Sequence, residues 1–123
     1  MSSPPLLVLV AGPYRSGTGD DPTRLAANVE LMNRTALEVF RRGHVPLTGE
    51  AVALPLIELA GSSAVGDAVF DEIFHPIARK LLDRCDAVLR VGGASAGADE
   101  MIGRAAAGGK LVARAAEDLP VAA

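Results

Sequence analysis

Aromatic residues are nearly absent from this chain. Three Phe, one Tyr and no Trp make up 3% of its 123 residues, so the core must be built from Ala, Val, Leu and Ile, which its 50% hydrophobic composition supplies. Cysteine is reduced to Cys85. That rules out an internal disulfide and makes a reducing cytoplasm the expected compartment. Set between Arg84 and Asp86, Cys85 reads as a small buried hydrophobe rather than a nucleophile. No apolar run approaches the roughly 18 residues of a membrane helix, and residues 1–5 lack the basic side chain that opens a secretory leader. A basic excess is missing too. The net charge is −3 and the pI about 5.3, which argues against a nucleic-acid or membrane partner. His44 and His75 are far apart, with no Cys or Asp at ligand spacing, so no metal site is expected. Asp20 and Asp21 suit helix capping better than Mg²⁺, and no motif calls for a cofactor. No internal repeat or linker divides the chain, so residues 1–123 read as one domain, long enough for its own core.

What is present begins with an apolar run over residues 6–11, followed by Gly12-Pro13-Tyr14-Arg15-Ser16-Gly17-Thr18-Gly19. The run is branched and does not alternate, as in a strand buried on both faces of a parallel sheet. The loop then lies at the strand's carboxyl end, where open α/β sheets bind ligands. Its glycines allow close backbone approach. Arg15 offers a planar fork of donors, Ser16 and Thr18 offer hydroxyls, and Tyr14 offers a ring to stack on. The loop lacks the Gly-Lys-Ser/Thr ending of a P-loop and the spacing of the dinucleotide fingerprint. It reads either as a cradle for a phosphate or sugar or as a plain strand-to-helix connection.

A helix opens at Asp20-Asp21-Pro22 and runs to about residue 42, with Leu25, Val29, Met32, Ala36 and Phe40 on its inner face and Gly43 ending it. Glu30, Arg34, Glu38 and Arg42 form a charge ladder on the outside. Residues 44–47 make a short strand, placed near an edge by Pro46. Residues 50–60 are apolar except for Glu50 and Glu58, and must be covered by the fold or by a second copy of the chain, which points to a homo-oligomer. A helix follows from about 67 to 84, in one piece or broken at Pro76. A third strand spans 86–91, Gly92–Gly97 form a second glycine-rich loop, a helix covers 98–108, and residues 110–113 form a fourth strand. This order predicts a doubly wound parallel sheet of four to five strands in three α/β/α layers. If the strand order reverses beside the first strand, the two glycine loops face each other across a nucleotide-sized cleft. Glu50 and Asn28 are further residues that can turn toward it.

Ala11-Gly12-Pro13-Tyr14, Cys85-Asp86-Ala87-Val88 and the stretch Ser95 to Val112, Ser-Ala-Gly-Ala-Asp-Glu-Met-Ile-Gly-Arg-Ala-Ala-Ala-Gly-Gly-Lys-Leu-Val, together resemble the nucleoside 2-deoxyribosyltransferase superfamily, in particular its small bacterial and phage members. The resemblance implies a flavodoxin-like sheet and a pocket for a nucleoside or nucleoside 5′-monophosphate. It also implies a glutamate, on the helix after the second glycine loop, that attacks the anomeric carbon. The glycosyl-enzyme so formed is resolved by water or a second base. The substrate-binding candidates are then Gly12, Tyr14, Arg15 and Ser16 on the first loop and Gly93, Ser95 and Gly97 on the second.

The register of the acids departs from this pattern. Four residues after Gly97, where the glutamate belongs, stands Met101; Glu100 is one position earlier and Asp99 two. One step rotates a helical side chain by about 100°. Glu100, with Asp99 beside it, fills the catalytic place only if the helix starts late or with a 3₁₀ turn. Otherwise both are first-turn acids favoured by the helix dipole, with Glu100 able to pair with Arg104. The family's sugar-contacting aspartate falls at Ala78. His75 and Asp71, one and two turns earlier, share a face and either serve the ligand or form a surface pair. Three functions follow: cleavage or transfer at an N-glycosidic bond, nucleotide binding without the nucleophile, or an oligomeric assembly role.

Overall fold

The computed structural model describes residues 4–122. The tail expected over residues 1–5 lies partly outside the described residues. The elements in chain order are β1 (Leu7–Ala11), α1 (Pro22–Arg41), β2 (Val45–Thr48), α2 (Gly49–Leu59), α3 (Ala68–Arg84), β3 (Ala87–Arg90), α4 (Ala96–Ala107) and β4 (Leu111–Ala113), followed by a 3₁₀ turn at Ala116–Asp118. The four strands form one parallel sheet in the order β2-β1-β3-β4. The order therefore reverses at β1, between β2 on one side and β3 on the other. The architecture is flavodoxin-like, with three α/β/α layers.

The sheet is buried on both faces, which explains why β1 and β3 show no alternation. Val8 and Val10 of β1 pack with Met32 and Val39 of α1 and with Leu119. Leu9 and Ala11 face the other way, against Leu82 of α3 and Ala98, Met101 and Ala105 of α4. Cys85 belongs to this second core, and burial pushes its thiol up to about 11. A third cluster joins Ala53 and Ile57 of α2 to Phe70 of α3, flanked by Tyr14 and Phe74. Three of the four aromatic residues, Tyr14, Phe70 and Phe74, thus pack together, with the Phe70 and Phe74 ring centroids 4.7 Å apart.

Several elements differ from expectation. The buried stripe of α1 runs through Leu25, Met32, Thr35 and Val39, while Phe40 is 64% exposed. Spacings of seven, three and four carry the stripe from Leu25 to Val39 and turn Phe40 outward. As expected, a carboxylate, that of Asp21, is the N-cap, accepting from the Arg24 N–H. Pro76 does not break α3. It removes one backbone donor, but the helix is held from two sides by α2 and α4. The apolar segment after β2 is half covered: Ala53 and Ile57 are buried, whereas Leu56 and Leu59 face outward. α4 starts at Ala96, two residues early, with the Ser95 hydroxyl accepting from the Ala98 N–H. His44 is buried at the edge, where Nδ1 accepts from the Leu6 N–H and Nε2 faces the Pro120 carbonyl.

Candidate functional site

The two glycine loops meet above the β1–β3 boundary, and small residues permit this. A Cβ on Gly12 would lie 2.7 Å from the Val91 carbonyl oxygen, and one on Gly92 would lie 2.7 Å from Cδ of Pro13. The first loop is also fastened internally. The Thr18 hydroxyl donates to the Arg15 carbonyl and accepts from the Asp20 N–H, and the Asn28 amide donates to the Tyr14 carbonyl over 2.8 Å. Asn28 therefore holds the loop from α1, and it lines the depression between the two glycine loops with Ser16, Gly17 and Gly93. The second loop is clamped by Arg90, whose buried guanidinium donates to the carbonyls of Val91 and Gly93 and to the Asp99 carboxylate.

Beside these loops, on the α3/α4 side of the sheet, lies a cavity of about 270 Å³. Its floor is the end of β1, Leu9 to Gly12. Tyr14, Arg15 and Ser16 form one wall, Gly49 and Glu50 another, and Phe74, His75 and Ala78 of α3 a third; Ser95 to Ala98 and Met101 of α4 close it. The N-termini of α2 and α4 both reach this space, so their positive dipole ends border it.

Of the residues expected to bind substrate, Gly12, Tyr14, Arg15 and Ser16 border the cavity. So do His75, Ser95 and Gly97, with a Cβ on Gly97 falling 3.1 Å from Cε1 of His75. Gly93 lies outside it, in the depression between the two loops and in a second one beside Arg90 and Arg114. Asp71 is exposed on α3 and does not reach it. Nor do the two acids considered for catalysis. Asp99 pairs with Arg90 at 3.1 Å and keeps a 67% exposed side chain. Glu100 is forked onto Arg79 of α3 at 2.7 and 3.0 Å, which holds its carboxyl below the usual range. Its partner is therefore Arg79 and not Arg104, which reaches Asp83 at 3.5 Å. The residue of α4 that does face the cavity is Met101.

Arg15 is already engaged. Its guanidinium makes two 2.9 Å hydrogen bonds to Asp20 and sits 5.6 Å from the Phe70 ring centroid. Asp20 adopts a left-handed φ of 60° that places its carboxylate for this fork.

The carboxyl that does reach the cavity is Glu50, which sequence reasoning touched only in passing. It is 7% exposed, and among the described residues no side chain pairs with it. Burial pushes its carboxyl above the ordinary value. The Tyr14 hydroxyl is likewise raised, by burial first and then by the charge of Glu50. The available signal was Thr48-Gly49-Glu50 directly after the second strand, since a residue at the start of the next helix lies at the sheet's carboxyl edge.

Among the described residues no three His, Cys, Asp or Glu side chains converge to hold a metal, and no helix is long and apolar enough to cross a membrane. A scan against models of protein families matches none, and a search of curated proteins finds no match.

Proposed function

We propose that the chain binds a nucleoside or nucleoside 5′-monophosphate in the cavity at the β1–β3 switch point. The observation that carries this reading is the convergence there of two helix N-termini, an aromatic wall and one buried carboxyl. Tyr14 and Phe74, with ring centroids 5.3 Å apart, offer flat apolar surface to a base. The helix N-termini suit sugar oxygens or a phosphate. The volume suits a small polar molecule, being close to the lower bound of roughly 300 Å³ for ligand pockets. The motif residues shared with the nucleoside 2-deoxyribosyltransferase superfamily agree with this choice of ligand.

Binding without chemistry is the reading the geometry favours, because Met101 stands in the cavity where the resemblance asks for a nucleophile. Glu50 supports a second reading, N-glycosidic cleavage. A protonated Glu50 would give its proton to the departing base as the C1′–N bond breaks. Water would add to C1′, and its proton would return to the Glu50 carboxylate. Isothermal titration of the whole chain with nucleosides and 5′-monophosphates, alongside chromatography for free base, tests both. Saturable binding with no base released supports the binding reading, and release of base supports cleavage. Absence of binding across the panel overturns the pocket's assignment. Arg15→Ala then reads the phosphate: weaker monophosphates with unchanged nucleosides would give Arg15 to the phosphate, displacing Asp20.

The homo-oligomer is part of the same proposal. It rests on the outward side chains of Leu56 and Leu59, the latter 85% exposed. Light scattering of the purified chain decides it. A reducing cytoplasmic setting is proposed from the lone, buried Cys85.

A further inference from the structure

Glu50 stands in the first turn of α2, where its own backbone N–H donates to its carboxyl, but it does not cap the helix. The N-cap of α2 is Thr48, whose hydroxyl accepts from the Ala51 N–H over 3.1 Å. A buried carboxyl is costly unless it finds a cation or hydrogen-bond donors, and among the described residues the nearby arginines are engaged elsewhere. Arg15 forks onto Asp20 and Arg79 onto Glu100. Glutamine would keep the size at this position without the charge. The chain nevertheless holds an acid at the wall of an otherwise largely apolar cavity, nine-tenths buried and without a side-chain partner among the described residues. Its own backbone N–H donates to it, and the acceptor capacity that remains faces the cavity, open to what enters there.

A carboxylate accepts and does not donate, and its two oxygens take two parallel donors best. We propose that Glu50 is the residue that selects the ligand, by accepting hydrogen bonds from two adjacent donors on it. This rests on the nucleoside reading above. A nucleoside offers such a pair in two places: the vicinal 2′- and 3′-hydroxyls of ribose, and the N1–H and 2-amino edge of guanine. A 2′-deoxyribose leaves one carboxylate oxygen unpaired, and the adenine edge sets a ring-nitrogen lone pair against it. A site built to pair with a donor discriminates strongly against an analogue that lacks it, because its own buried group is then left unsatisfied.

Isothermal titration with guanosine, adenosine, 2′-deoxyguanosine and 2′-deoxyadenosine tests this on the whole chain. Wild type favours one side of one axis by about tenfold or more, a single unpaired buried acceptor costing roughly that much. Ribose over deoxyribose assigns the hydroxyl pair, and guanine over adenine assigns the base edge. Glu50→Gln, which places an amide donor against the ligand's donors, removes that preference while the variant stays folded by circular dichroism. Glu50→Asp withdraws the carboxylate by one methylene and shrinks the same preference, which keeps the test intact should the glutamine variant not fold. A preference that survives both substitutions, or wild-type affinities equal along both axes, overturns the role of Glu50 and leaves the nucleoside reading standing. No binding of any of the four overturns both.

Discussion

Arg79 of α3 and Glu100 of α4 form a two-pronged ion pair, 2.7 and 3.0 Å, on the outer side of the two helices. The pair spends the acid that the sequence offered for catalysis on joining two helices. Both side chains are 41% exposed, and exposed pairs contribute little to stability. Glu100→Ala is therefore expected to leave nucleoside affinity unchanged and to lower Tm only slightly. Titration of the variant checks it; a lost affinity would return Glu100 to the site.

Gly12 is where the first loop leaves the sheet, against the Val91 carbonyl and the Met32 side chain. Alanine there brings a methyl within 2.7 Å of that carbonyl oxygen, and backbone cannot yield as a side-chain tip can. Gly12→Ala should destabilise the fold by about 1–3 kcal/mol, the usual cost of overpacking, read from urea unfolding. An unchanged midpoint would mean that the two loops are not packed this closely.

Asp67 caps α3, its carboxylate accepting from the N–H groups of Phe70, Ser63 and Ala64 and from the Ser62 hydroxyl. These bonds, led by Phe70, hold its carboxyl below the ordinary 3.8. A group lowered in the folded state contributes stability above its unfolded value, and loses it as the pH falls toward the folded one. Asp67→Ala should lower Tm at pH 7, with the difference from wild type narrowing below about pH 4 as the acid protonates in the unfolded chain. A constant difference across the acid range would show that the cap's charge is not involved.

Glu50 is shifted the other way, upward from 4.5 by burial. Below its unfolded value the acid is neutral in both states and costs nothing by ionisation. As the pH rises through the raised folded value, the folded state must either hold a proton or bury a charge, and stability falls. Glu50→Gln does not titrate. Its Tm should exceed that of wild type at pH 8, with the gain vanishing below about pH 4.5. A variant less stable than wild type at pH 8 would mean that the carboxylate is satisfied within the fold.

Much of the fold was legible because its signals are local. Unbroken apolar runs marked the strands buried on both faces, the Asp-Pro start and Gly43 bracketed α1, and glycine after β1 and β3 placed two loops at one edge of the sheet. Errors came where several elements decide together. Phe40 turned outward because the sheet draws the stripe through Val39. Of the two readings left open for α3, packing on two sides decided for the unbroken helix, outweighing one missing backbone bond. The partners of Arg15 and Glu100 came from Asp20, left-handed in a loop, and from Arg79 on a different helix.

The sequence by itself determined the order of strands and helices, the parallel sheet and the edge at which a cleft forms, since each follows from chain-local apolar pattern and turn chemistry. The tertiary structure decided which acid enters that cleft. Asp99 and Glu100 belong to the helix whose start borders the cavity, yet their side chains leave it for Arg90 and Arg79. Glu50, on an element that offered no catalytic motif, is the one that faces inward. Side-chain direction depends on how α2, α3 and α4 rotate against one another as their apolar faces close, and that rotation is fixed by packing between segments distant in sequence.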